Sequence, residues 1–145
     1  IELGFITKKQ LGYVEDSFKD SSANNFRVLV QHQSPKRFFK GILPTHVRGY
    51  KRALKTYAKT GVDLILTGHN HFVHAESIEQ DGHTMVWSQS GTTTSNRFPL
   101  MHPNENTLTR IDIRDNEFDL VTCVYDDASK TFEKRSVRTF PRQTA

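Results

Sequence analysis

Val62-Asp63-Leu64-Ile65-Leu66-Thr67-Gly68-His69-Asn70-His71 is the stretch on which the fold turns. A short, mostly apolar run without polar alternation suits a strand covered on both faces, as in a parallel sheet. Gly68 is read as the point where the backbone turns, so that His69 and His71 follow the strand's carboxyl end. Upstream, Phe26-Arg27-Val28-Leu29-Val30 repeats the pattern between polar turn formers and predicts a buried strand delivering His32. Between the two runs, Tyr50, Leu54 and Tyr57 share one face of the segment 48–60 and Gly61 is placed to cap it, which predicts a helix. Strand, helix, strand in this order implies a right-handed crossover and neighbouring parallel strands, whose carboxyl ends line the usual ligand crevice of α/β sheets. His32, His69 and His71 are expected to converge there.

Toward the start of the chain, Thr7 and Gln10 have capping-box spacing, and Leu11, Val14 and Phe18 recur at helical intervals, predicting a helix over 8–20. Beyond His74 the pattern changes. Segments 75–80 and 83–90 flank Asp81-Gly82 and predict a β-hairpin, and 107–113, 118–125 and 131–140 predict further strands of an antiparallel meander. The fold class is α/β: two helices and parallel strands, followed by antiparallel strands.

The chain of 145 residues suits one domain. It holds no apolar run near the ~18 residues a membrane span needs, so no membrane partner is expected. The net charge of +4 comes from Lys and Arg scattered along the chain, which favours a basic solvated surface over a nucleic-acid face. A single cysteine, Cys123, excludes an intramolecular disulfide or a cysteine-based zinc site and reads as a buried core thiol. The sequence opens Ile1-Glu2-Leu3 without an initiator Met, so a processed chain or a piece of a longer one is expected, with cytoplasmic localisation.

Neutral imidazole is the commonest metal ligand, and two histidines one residue apart in an extended turn can address two adjacent ions. Gly68-His69-Asn70-His71 has that arrangement, and His32 follows another strand one βα unit upstream. A lone histidine in a loop more often bonds to backbone than to metal, and it is the joint pattern that points to a site. Asn70 is read as a substrate contact or a turn former, His74 as a phosphate contact or a solvated strand residue, and Arg97 as a contact to an anionic group or a solvated arginine. His46, His83 and His102 are assigned no role.

The order of these features resembles the carboxyl-terminal half of the calcineurin-like metallophosphoesterase superfamily. Val28-Leu29-Val30-Gln31-His32-Gln33-Ser34-Pro35 looks like that family's strand with an isolated metal-binding His, although Gln33 departs from the His-His pair often seen there. Leu64-Ile65-Leu66-Thr67-Gly68-His69-Asn70-His71 looks like its Gly-His-x-His block. The resemblance implies half of a four-layer α/β/β/α sandwich and hydrolysis of a phosphomonoester or phosphodiester by two divalent or trivalent ions, Mn, Fe or Zn. It places His32 and His69 on one ion and His71 on the other. In the family, Asp-x-His, Gly-Asp and Asn-His blocks that precede the segment resembling Ile1 onward complete the centre, and those upstream blocks do not appear here. The resemblance therefore implies that 1–145 is the carboxyl-terminal part of a domain, with the missing N-terminal half as its partner, a phosphoester as substrate, and nucleic acid as a substrate only. The alternative is a non-catalytic scaffold or binding module that retains the fold and a partial metal site.

Overall fold

The computed structural model describes residues 4–36, 47–95 and 104–143. Helix α1 (Lys8–Phe18) starts at the expected capping box: Gln10 N donates to Thr7 Oγ1 at 3.1 Å and Thr7 N donates to Gln10 Oε1 at 2.8 Å. It stops short of residue 20 because the Lys19 N–H turns to Asp16 O, a tighter bond that closes the last turn. Strand β1 (Val28–Val30), helix α2 (Tyr50–Lys59) and strand β2 (Leu64–Thr67) follow. Arg27 precedes β1 instead of joining it, since its N–H bonds the Asp63 carboxylate at 2.7 Å. At the end of α2, Gly61 takes φ 65°, Gly61 N donates to Ala58 O and Val62 N donates to Tyr57 O, both at 3.0 Å. These paired bonds make the Schellman cap expected of a glycine at this place.

Strands β1 and β2 run parallel with Val30 opposite Leu66. The hairpin of β3 (His74–Gln80) and β4 (His83–Gln89) turns at Asp81 and Gly82, with φ 52° and 79°, as the Asp-Gly pair predicts. Its placement corrects the single-meander expectation: β4 pairs in parallel with β2, giving a four-stranded sheet in the order β1-β2-β4-β3. The reason is burial, since Met85 through Gln89 are all buried, and only a central strand is covered on both faces. Strands β5 (Thr107–Ile113), β6 (Glu117–Asp126) and β7 (Thr131–Pro141) form a separate antiparallel sheet.

The pleat divides the core between three layers. On one face of the first sheet, Leu29, Ile65, Ile78, Met85 and Trp87 pack against Leu11, Ala53, Leu54 and Tyr57 of the helices. On the other face, Leu64, Ala75 and Val86 meet Phe118, Leu120 and Phe140 of the second sheet. Helices, sheet and sheet are three of the four layers expected. Strand β1 is not buried on both faces as its composition predicts: Leu29 is buried, but Val28 and Val30 are 36% and 76% exposed. It is an edge strand, and among the described residues nothing covers its second face. Cys123 is a free, buried thiol, as expected. No helix among the described residues is long and apolar enough to cross a membrane.

Candidate metal centre

The parallel pairing of β1 and β2 continues past both strand ends. Gln31 N donates to Leu66 O at 3.0 Å, and Gly68 N donates to His32 O at 3.1 Å. This extension sets the two post-strand loops side by side. His32 Nε2 and His69 Nδ1 then lie 3.0 Å apart, with the rings edge-on at 78° and their centroids 4.8 Å apart. His32, His69 and His71 all line one open cavity of about 440 Å³, with Ser90, Thr107 and Thr109 among its other walls. Among the described residues, no Asp or Glu lines it.

The turn that carries the pair is built differently from the sequence expectation. Gly68 is not in the left-handed region; His69 and His71 are, with φ 72° and 58°. Asn70 N donates to Gly68 O at 2.9 Å across His69, the three-residue closure of a γ-turn whose positive φ is rare and strained. Non-glycine residues held in this region cost roughly 1–3 kcal/mol each and persist only where surrounding structure determines them.

Burial pushes the His69 imidazole pKa below its ordinary 6.5, and the neighbouring His32 and His71 rings push it the same way. The ring is thus held in its neutral, ligating form near neutral pH. Two imidazole nitrogens bound to one zinc-like ion at ~2.0–2.1 Å, at angles between right and tetrahedral, stand about 2.9–3.4 Å apart. The observed 3.0 Å separation is that of a hydrogen bond between the two ring nitrogens and also falls in that range, so the pair is spaced as two ligands of one ion would be once the shared proton is displaced. Among the described residues no three of His, Cys, Asp and Glu are grouped to hold a single ion. The donor set on the page is a close imidazole pair, His32 and His69, with His71 lining the same cavity.

The other sequence-predicted residues are dispersed. Asn70 directs its amide nitrogen inward, donating to Ser34 Oγ at 2.9 Å and to Gln89 Oε1 at 2.8 Å. His74, on β3, sits against Trp87 at a centroid distance of 5.2 Å, with its Nε2 3.8 Å from Glu76 Oε1, and is not among the residues lining the three-histidine cavity. Arg97, like His46 and His102, lies outside the described residues. His83 donates from Nε2 to Val62 O at 2.8 Å, at the opposite end of β2 from His69. Sequence reading assigned nothing to Ser34 and Gln89, both fully buried beneath the histidine turn. The available signal was two polar residues, one at the end of an apolar strand pattern and one in the loop that follows His32.

No family model matches the chain, and no curated protein matches it. Among solved structures, vacuolar protein sorting 29 (Vps29) from Cryptosporidium parvum is 18% identical over 64% of this chain and 44% of that chain, with a TM-score of 0.43. Wild-type Vps29 from Entamoeba histolytica, complexed with Zn2+, is 18% identical over 83% of this chain and 57% of that chain, with a TM-score of 0.49. This chain spans about half the length of those structures. With TM-scores below 0.5 these likenesses bear on neither the site nor its activity, and the case for a metal centre stands on the chain's own geometry.

Proposed function

We propose that His32, His69 and His71 are the imidazole share of a binuclear metal centre for phosphoester hydrolysis of the calcineurin-like metallophosphoesterase kind, completed by carboxylates from outside this chain. The observation that carries the reading is the 3.0 Å approach of His32 Nε2 to His69 Nδ1 at the carboxyl ends of two adjacent parallel strands. The open flank of β1 supports it: beside His32, a groove of about 710 Å³ runs along Gly4, Ile6, Val30 and Val47, next to an edge strand with 76% of Val30 exposed. That is where an N-terminal half of the domain would add its strands, making 1–145 the carboxyl-terminal part. Two ions in such a centre, Mn, Fe or Zn, would supply Lewis acidity toward a phosphoryl group and toward the attacking water. The chain's own residues would hold and orient: His32 and His69 would hold one ion and His71 the other, with the strained turn fixing their separation. Arg97 is proposed as a contact to the anionic substrate, a phosphomonoester or phosphodiester, in a cytoplasmic protein; His74, packed against Trp87 away from the cavity, is not.

The test compares this chain with the longer protein proposed to contain it, using an aryl phosphoester and added Mn or Zn. The longer protein should turn over in a metal-dependent way and the isolated chain should not. Turnover by the chain alone at about 1 per second or more contradicts the division of the centre. A second reading, a non-catalytic scaffold that keeps the fold and a partial metal site, is favoured by a cavity wall whose described residues include no Asp or Glu. A longer protein whose N-terminal part lacked Asp-x-His, Gly-Asp and Asn-His blocks, and which bound metal without turnover, would decide for the scaffold.

A further inference from the structure

Beneath the His69–His71 turn lies a closed set of polar side chains that the metal reading does not use. Gln89, at the end of the central strand β4, is fully buried, and its side-chain amide bonds to the loops that carry the histidines. Its Oε1 accepts from Asn70 Nδ2 at 2.8 Å and from Ser34 Oγ at 3.2 Å, while its Nε2 donates to Phe72 O at 3.1 Å. Ser34 Oγ accepts in turn from Asn70 Nδ2 at 2.9 Å, and the Ser34 carbonyl takes the N–H of Val47 at 3.1 Å. The glutamine thus grips the turn from both sides, at Asn70 between the two histidines and at Phe72 just beyond His71. Through Ser34 it also ties down the loop that carries His32. A buried amide is costly to leave unbonded, so this arrangement has few alternatives, and a network with one geometry imposes that geometry on the backbone around it.

We propose that Gln89 is a positioning residue of the metal centre: through Asn70 and Phe72 it holds His69 and His71 in the left-handed backbone conformation that sets His69 Nδ1 against His32 Nε2, and through Ser34 it keeps the His32 loop in register with that turn. It touches no ligand atom. The backbone it determines is a strained one, since His69 and His71 have φ 72° and 58°, a region that costs a non-glycine residue free energy and persists where surrounding structure holds it. Outer residues that orient metal-bound histidines change metal affinity by about 10–100-fold when removed. The inference rests on the metal reading for its functional meaning and on the hydrogen-bond geometry for its structural content.

The test uses the full 145-residue chain, its Gln89→Met and Asn70→Ala variants, and Ala58→Gly as a control that weakens a buried helix position away from the site. Zn2+ is titrated against the imidazole NMR signals, and the metal-free samples are examined for the through-space contact between the His32 and His69 rings and for exchange of the Asn70 backbone amide. Gln89→Met should weaken Zn2+ binding about 10–100-fold, abolish the ring contact and speed the amide exchange; Asn70→Ala should move all three in the same direction, and Ala58→Gly none of them. If Gln89→Met does not fold, Asn70→Ala, which leaves the Ser34–Gln89 bond intact, decides on the same readouts. A ring contact and amide protection unchanged in the variant overturn the positioning role whether or not metal binds. Failure of the unmodified chain to bind Zn2+, with the ring contact still dependent on Gln89, overturns the metal reading alone.

Discussion

His69 carries two constraints at once, a left-handed backbone and a ring held 3.0 Å from His32. In the longer protein proposed to contain this chain, replacing His32, His69 or His71 with Ala should lower kcat/KM by at least about 100-fold, roughly 2.7 kcal/mol of transition-state stabilisation, with loss of bound metal. His83→Ala is the internal control. Its ring bonds Val62 O at the far end of β2, so it should cost stability by about 1 kcal/mol and leave activity within about threefold, as should His102→Ala for activity. Steady-state kinetics and metal analysis on the same preparations separate the two groups. Gly68→Ala is a sharper check on the turn: a Cβ there meets nothing within 4 Å and the backbone is not left-handed, so unfolding in urea should shift by less than about 0.5 kcal/mol. The place of the three histidines was legible, because each follows an apolar run ending at a strand's carboxyl edge. The residue that makes the turn was not. Glycine is the usual carrier of a positive φ, and nothing local shows that a buried Gln89, nineteen positions on from Asn70, anchors the loop and shifts the strain onto histidine.

At the scale of elements, the joint between α2 and β2 closes on a left-handed glycine. Gly61 takes φ 65° in the helix cap, and an added Cβ would stand 2.5 Å from Arg27 Nη1, which itself donates to the Thr60 carbonyl at 2.9 Å. Gly61→Ala should therefore destabilise the chain by about 1–2 kcal/mol, measured as a fall in the urea midpoint with an unchanged slope. An unaltered midpoint would mean that the cap relaxes freely. Helix α1, helix α2 and the hairpin were readable because capping residues, 3.6-residue periodicity and an Asp-Gly turn are local signals. The pairing of β4 with β2 was not, since parallel pairing is non-local and the run Met85-Val86-Trp87 reads equally well as part of a meander. Strand β1 misled in the other direction: Val28, Leu29 and Val30 have the composition of a buried strand, yet only Leu29 has a covering layer among the described residues.

Across the whole molecule, the titration of two histidines links the site to stability. Burial pushes the pKa of both His69 and His74 below 6.5; beside His74, Glu76 opposes the shift while Arg138 and Lys36 add to it. The unfolded chain therefore takes up protons near pH 6.5 that the folded chain still refuses, and stability present above that pH is lost as the pH falls through the window below it. Thermal unfolding at about pH 7.5 and about pH 5.5 should show a lower Tm in acid, and the difference should shrink in His69→Ala and in His74→Gln; a Tm that is flat or rises on acidification contradicts the assignment. The central claim is that this chain holds only the imidazole share of a two-ion centre, with one ion shared by His32 and His69 and no carboxylate to balance a second. Calorimetric titration of the metal-free chain with Zn and with Mn tests it most directly. The account predicts at most one ion per chain, with a Kd weaker than about 1 μM, lost in His69→Ala and retained in His83→Ala; tight binding of two ions per chain, or binding indifferent to His69, contradicts it.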